Sequence, residues 1–234
     1  MKKILCIIGT RPEAIKMIPV IYALRSVPDF DCRIIATAQH REMLDQVRLV
    51  MEKNISTPFA LDSSKRLILV TAHRRENFGK PIREIFKAIR FIADNSKDIQ
   101  IVYPVHPNPN IEPVAHEMLG NHARIILCKP LDYISFLNMM KMVYLIMSDS
   151  GGIREEAIAL GKPVLLFREQ TERPEGVELG GVIMVGHHFE TITQQTQRFL
   201  IDSDSYHHAS QCASPYGDGY AANKIQEILC QQLS

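Results

Sequence analysis

The sequence predicts an α/β fold made of Rossmann-type, doubly wound parallel sheets. Two observations predict it. Short apolar runs alternate with stretches of helical periodicity along nearly the whole chain. The glycine-rich and charged motifs follow the apolar runs, where open parallel sheets bind their ligands. The clearest instance is Ser148-Asp149-Ser150-Gly151-Gly152-Ile153-Arg154-Glu155-Glu156, set between the apolar runs 143–147 and 164–167. It reads as strand, glycine turn, helix, strand. Glycines there let a backbone approach a ligand, and the helix start presents free N–H groups and a positive dipole end. A tight turn alone would use the same residues.

Taken in order, residues 4–8 read as a buried strand, and Gly9-Thr10-Arg11-Pro12-Glu13 as the turn into a helix reaching about Ser26. Pro19 should bend that helix. A strand at 31–37 and a helix at 42–50 complete a βαβα start. Residues 51–65, rich in Asn, Ser, Pro and Asp, read as an irregular link. From Arg66 the plan restarts, with strands at 67–71, 99–105, 123–128, 143–147, 164–167 and 181–185. Helices are expected at 82–95, 111–119, 133–142 and 190–203, with one after Gly152 and a tail helix at 221–232. The predicted domains are therefore 1–50, a link at 51–65, and 66–234 including the tail helix. Two strands cannot close a core alone, so Ile4, Ile7, Ile8, Ile34 and Ile35 should be partly exposed.

The 234 residues, 46% hydrophobic and 23% charged, describe an ordinary soluble globular chain. A net charge of +1 gives no broad attraction to nucleic acid or to an anionic membrane, so neither is expected as a partner. No stretch approaches the roughly 20 apolar residues of a membrane span, and the apolar run at 4–8 is too short for a signal peptide. Cys6, Cys32, Cys128, Cys212 and Cys230 form no Cys-x-x-Cys pair, which fits a reducing, cytoplasmic setting. Cys6 and Cys128 read as buried hydrophobes. His187-His188 and His207-His208 read as surface histidines, because a metal site needs three or four convergent ligands. No metal is expected.

The residues that could carry chemistry follow strands. They are Arg11 and Lys16; His73, Arg74 and Arg75; His106; Ser150, Gly151, Gly152 and Glu156; and Arg168, Glu172 and Arg173. Five such loops on one edge point to an anionic ligand, a diphosphate gripped by Arg, Lys and helix N-termini. Arg11 and Lys16 could instead be solvated, and His106 could be a structural histidine.

Together these motifs resemble the non-hydrolysing UDP-N-acetylglucosamine 2-epimerases. Gly9-Thr10-Arg11-Pro12-Glu13-Ala14-Ile15-Lys16 and Thr37-Ala38-Gln39-His40-Arg41-Glu42-Met43-Leu44 look like the family's first two signatures. Thr71-Ala72-His73-Arg74-Arg75-Glu76-Asn77 and Tyr103-Pro104-Val105-His106-Pro107-Asn108-Pro109 follow in family order. So do 149–156, Thr171-Glu172-Arg173-Pro174-Glu175 and Pro215-Tyr216-Gly217-Asp218-Gly219. The resemblance implies a glycosyltransferase-B-like fold with a UDP-sugar between two domains. It implies loss of the sugar's C2 proton as UDP leaves C1, giving a glycal to which UDP adds back, without a redox cofactor. It also implies UDP contacts from Arg11, Lys16, Phe136, Ser150, Gly151, Gly152, Glu156 and Arg173, with His73 at the reacting centre. Gln39, His40 and His106 match positions of a second, regulatory UDP-N-acetylglucosamine.

One departure is large. The family's Gly-Asp-Thr, His-Val-Glu-Ala-Gly and Pro-Glu-Glu-x-Asn-Arg stretches, which supply a catalytic Asp and two Glu, do not occur here. Residues 1–50 therefore read as the remnant of a truncated N-terminal Rossmann-like domain, its sheet covered by a second copy or a partner chain. The expected function is epimerisation impaired by missing carboxylates; the alternative is a UDP or UDP-sugar binding module without turnover, or a regulatory subunit of a complete epimerase.

Overall fold

In a computed structural model, residues 1–9, 11–36, 61–172, 174–212, 215 and 220–233 are described, with only the backbone at 11, 12, 14, 15 and 36. The chain divides into two compact units, Met1–Asn54 with Gly217–Ser234, and Ile55–Tyr216. The expected helix at 42–50 and most of the expected link lie outside the described residues.

The larger unit holds a six-stranded, all-parallel sheet. Its strands are β3 (Arg66–Thr71), β4 (Ile99–Pro104), β5 (Ile125–Cys128), β6 (Leu145–Ser148), β7 (Val164–Leu166) and β8 (Val182–Met184). Their order is β5-β4-β3-β6-β7-β8, so the chain winds outward from β3 in one direction and then from β6 in the other. That reversal defines the topological switch point of a doubly wound sheet.

Both faces are covered, and strand alternation decides which residue goes where. Ile68 and Val70 turn to one face, against α2 (Lys80–Asn95), α3 (Glu112–Leu119) and α7 (Phe189–Ile201). Leu67 and Leu69 turn to the other, with Met139 and Met140 of α4 (Tyr133–Met142) and Ala157 and Ile158 of α5 (Gly151–Ala159). Helix α2 shows why the periodicity was legible: Ile82, Ile85, Phe86, Ile89 and Ile92 are all buried. A short α6 (Glu175–Glu178) precedes β8.

Two helices differ from expectation. No element was expected between 203 and the tail helix, yet these residues include α8 (Ser203–Ser210). Its signal was a cap rather than a periodicity: Asp202 accepts from the backbone N–H groups of Asp204 and Ser205. The tail helix α9 (Ala221–Leu233) belongs to the smaller unit, not to the 66–234 domain expected. Ala222 and Leu229 join Val20, Ile21 and Leu24 of α1 (Arg11–Arg25) in one apolar cluster.

In that smaller unit β1 (Lys2–Ile8) pairs in parallel with β2 (Phe30–Ala36). Glu13 folds back onto the start of α1, its Oε2 accepting from Gly9 N at 2.7 Å. Cys6, Ile8 and Cys32 face the apolar cluster, so Ile8 is buried rather than exposed as expected. Ile7, Ile34 and Ile35 are exposed as expected, and so is Leu5. Cys6 is buried as expected, whereas Cys128 is half-buried.

Candidate functional site

Strands β3 and β6 are hydrogen-bonded neighbours at the switch point, and Thr71 and Ser148 lie opposite each other at their carboxyl ends. Their hydroxyls are 2.7 Å apart and fully enclosed. Ser148 Oγ also accepts from Ser150 N at 2.9 Å, which fixes the turn into α5.

Asp149, the next residue, has 0% exposure. Its Oδ2 accepts from His73 N at 2.9 Å, Arg74 N at 2.8 Å and Asn77 Nδ2 at 3.0 Å. One buried carboxylate thus closes the loop after β3 onto the loop after β6. Its other oxygen, Oδ1, makes no hydrogen bond and lies 3.6 Å from His73 Nδ1. A buried carboxylate oxygen without a donor is costly, and here it faces an imidazole.

His73 is half-buried and stacks on His106, with ring centroids 5.4 Å apart and planes 12° from parallel. Burial lowers its pKa below the ordinary 6.5; the Asp149 carboxylate works against that, while His106 and Arg74 add to it. The structure therefore favours a neutral imidazole, which can accept a proton.

The start of α5 is open. Ser150 occupies the N-cap position without making a side-chain capping bond. Gly151 and Gly152 are not in the left-handed region, so the backbone does not demand glycine at either. A Cβ added at Gly152 would meet nothing within 4 Å. One added at Gly151 would lie 3.6 Å from Arg154 Nη2 and 3.7 Å from Arg74 Nη2. Two guanidinium groups therefore flank the positive end of a nine-residue helix. That combination suits an anion.

Of the residues singled out in the sequence, the structure brings His73, His106, Ser150, Gly151 and Gly152 to the carboxyl edge around β3 and β6. Glu156 lies farther along α5, where its Oε1 accepts from Tyr133 OH at 3.0 Å. Phe136, on α4, is half-buried against the core face it shares with Met139. Arg11 and Lys16 belong to α1 of the smaller unit. Gln39, His40 and Arg173 lie outside the described residues.

Arg168 is committed elsewhere. It donates to Glu76 Oε1 at 2.9 Å and bidentately to Glu172 at 2.9 and 3.0 Å. Glu172 is thereby held down to about 2 by the Arg168 hydrogen bonds.

Sequence reasoning singled out Arg74 but missed the roles of Asp149 and Asn77. A signal for Asp149 existed: an acidic residue directly after an apolar strand is a buried charge in need of donors. Arg154 is also buried, at 1% exposure, and donates to Thr171 Oγ1.

A family model described as UDP-N-acetylglucosamine 2-epimerase matches residues 48–230. A curated UDP-N-acetylglucosamine 2-epimerase of Campylobacter jejuni is 47% identical over 176 residues, 75% of this chain and 46% of its own length. The chain spans about half the length of the curated relatives it matches. Among solved structures, the S. aureus MnaA–UDP complex superposes with a TM-score of 0.82 at 30% identity, covering 100% of this chain and 97% of that one. A UDP-GlcNAc 2-epimerase from Neisseria meningitidis bound to UDP-GlcNAc gives a TM-score of 0.85 at 25% identity, covering 98% and 100%. These likenesses, with the parallel sheets, show the glycosyltransferase-B-like, Rossmann-type fold class.

Proposed function

The chain belongs to the UDP-N-acetylglucosamine 2-epimerase family, and from that premise we propose that it binds UDP and UDP-N-acetylglucosamine but epimerises the sugar slowly or not at all. The observation that carries the binding half is the start of α5. Two glycines that neither backbone conformation nor packing requires lie there, beside the Arg74 and Arg154 guanidiniums. Glycine in a helix costs up to about 1 kcal/mol relative to alanine. A diphosphate needing close backbone approach accounts for that cost.

In this reading the Ser150-Gly151-Gly152 turn takes a phosphate, Glu156 accepts from the ribose and Arg173 pairs with the diphosphate. Phe136 enters as a further UDP contact on motif match. Arg11 and Lys16 enter on motif match alone, as do Gln39, His40 and His106 for a second UDP-sugar.

The catalytic half follows from the family reaction. A base takes the C2 proton, the C2–H electrons form the C1=C2 bond, and the C1–O bond breaks with its pair leaving on UDP. Re-addition needs a proton donor on the opposite face. His73 can serve one face as a neutral base. The three family carboxylates have no counterpart in this sequence. Losing one general acid or base costs about 10²–10⁴-fold, so turnover should fall at least that far below a complete member.

Titration calorimetry with UDP tests the binding half. Gly152→Ala should keep the fold, with stability equal or up to about 1 kcal/mol higher, while UDP affinity falls. Arg173→Ala should weaken binding by roughly 1.5–3 kcal/mol, the range for a charge-assisted hydrogen bond. Unchanged UDP affinity in both variants would overturn the site.

A further inference from the structure

The histidine pair His187-His188, read from the sequence as a surface pair, acquires a third partner in the structure. Glu169 follows β7 and the two histidines follow β8, so adjacent parallel strands deliver all three to the same sheet edge. Glu169 Oε1 lies 3.5 Å from His187 Nδ1 and 3.1 Å from His188 Nε2. One ligand atom from each residue falls within 4.8 Å of the others.

Neighbours along a strand point to opposite sides, which is why adjacent histidines seldom chelate together. Here the strand has ended. Gly186 adopts φ +58°, and the two imidazoles that follow come to 4.6 Å between centroids. The positive φ favours glycine, and a Cβ at 186 would lie 2.1 Å from Glu169 Oε1 unless that exposed side chain moved aside. The carboxylate thus occupies the space that the missing side chain leaves.

We propose that Glu169, His187 and His188 bind one borderline divalent cation of the zinc type. Bonds of 2.0–2.2 Å to nitrogen and oxygen put neighbouring tetrahedral ligands about 3.4 Å apart. The two Glu169–His separations bracket that value. Two imidazoles and one carboxylate favour zinc, cobalt or nickel over magnesium and calcium, which prefer oxygen alone. Three protein ligands leave a coordination position for water. Glu169 and His187 also line a pocket of about 290 Å³ shared with Glu76, Asn77 and Arg168, from which that position can be reached. The bound ion would clip the loop after β7 to the loop after β8.

The test is competition of the metal-free full chain with a chromophoric chelator for Zn²⁺, backed by the visible spectrum of the Co²⁺ form. One Zn²⁺ per chain should bind, and Co²⁺ should give ligand-field bands of tetrahedral intensity. His187→Ala, His188→Ala and Glu169→Gln should each weaken Zn²⁺ at least tenfold and remove those bands. These side chains are exposed or half-buried, so melting of the metal-free variants should match that of the parent. The control His207→Ala/His208→Ala should bind as the parent does. Zn²⁺ affinity unchanged in the His187→Ala/His188→Ala double variant would overturn the proposal, assigning the bound metal to the cysteines or other histidines.

Discussion

Asp149 is where one side chain holds most of the site. Three donors converge on its Oδ2, and its Oδ1 faces His73. Asp149→Asn keeps the shape but turns charge-assisted hydrogen bonds into neutral ones, so stability should fall by about 1–3 kcal/mol. Asp149→Ala should cost more, because it strands three donors, and chemical denaturation would rank the two. The same substitution acts on His73. Its pKa lies below 6.5 through burial, with Asp149 pulling it back up. Asp149→Asn should therefore lower it further, read from the His73 ring protons in an NMR titration. The sign for stability follows. Below pH 6.5 the unfolded chain binds this proton more readily than the folded one, so the contribution of His73 to stability falls as pH drops through that window. A His73 midpoint that rises or stays fixed in Asp149→Asn would contradict the pairing.

The elements were legible where local pattern and tertiary burial agree. Helix α2 and strands β3, β4 and β6 carry unbroken apolar periodicity and lie where the sequence put them. Helix α8 was not legible, because its sequence Ser-Asp-Ser-Tyr-His-His-Ala-Ser carries almost no apolar stripe and its start rests on the Asp202 cap. The tail helix was legible as a helix but not in its partner, since nothing in the apolar pattern of 221–233 distinguishes α1 from any other surface. The site was legible in its glycines and His73. It was illegible in Asp149 and in the Glu169–His187–His188 cluster, because contacts between loops far apart in sequence leave no local period.

The β1–β2 ribbon supplies its own prediction. Register sets Ile7 beside Ile35, and they are 63% and 49% exposed; Leu5 on the same face is 54% exposed. Ile34 shares the other face with Cys6 yet remains 42% exposed. A second copy or a partner chain should cover this surface. Sedimentation equilibrium of the pure chain should show self-association that Ile7→Lys/Ile35→Lys abolishes. A monomer at all concentrations, indifferent to that change, would rule out the second copy.

At the scale of the whole molecule, the larger unit carries the complete doubly wound sheet with the candidate phosphate site at its switch point. The smaller unit has two described strands and borrows its last helix from the far end of the chain. Binding through the larger unit should stabilise the fold by about 2.7 kcal/mol when UDP is present at a hundred times its dissociation constant. The central claim is retention of UDP-sugar binding with loss of C2 chemistry, and one measurement reads both. Proton NMR of UDP-N-acetylglucosamine in deuterated water, with the protein added, should show saturation transfer to the uracil protons while the C2 proton persists. Deuterium entering C2 at an ordinary enzymatic rate would contradict the account and identify a base other than the missing carboxylates. Absence of saturation transfer, with no competition by UDP, would contradict the binding half.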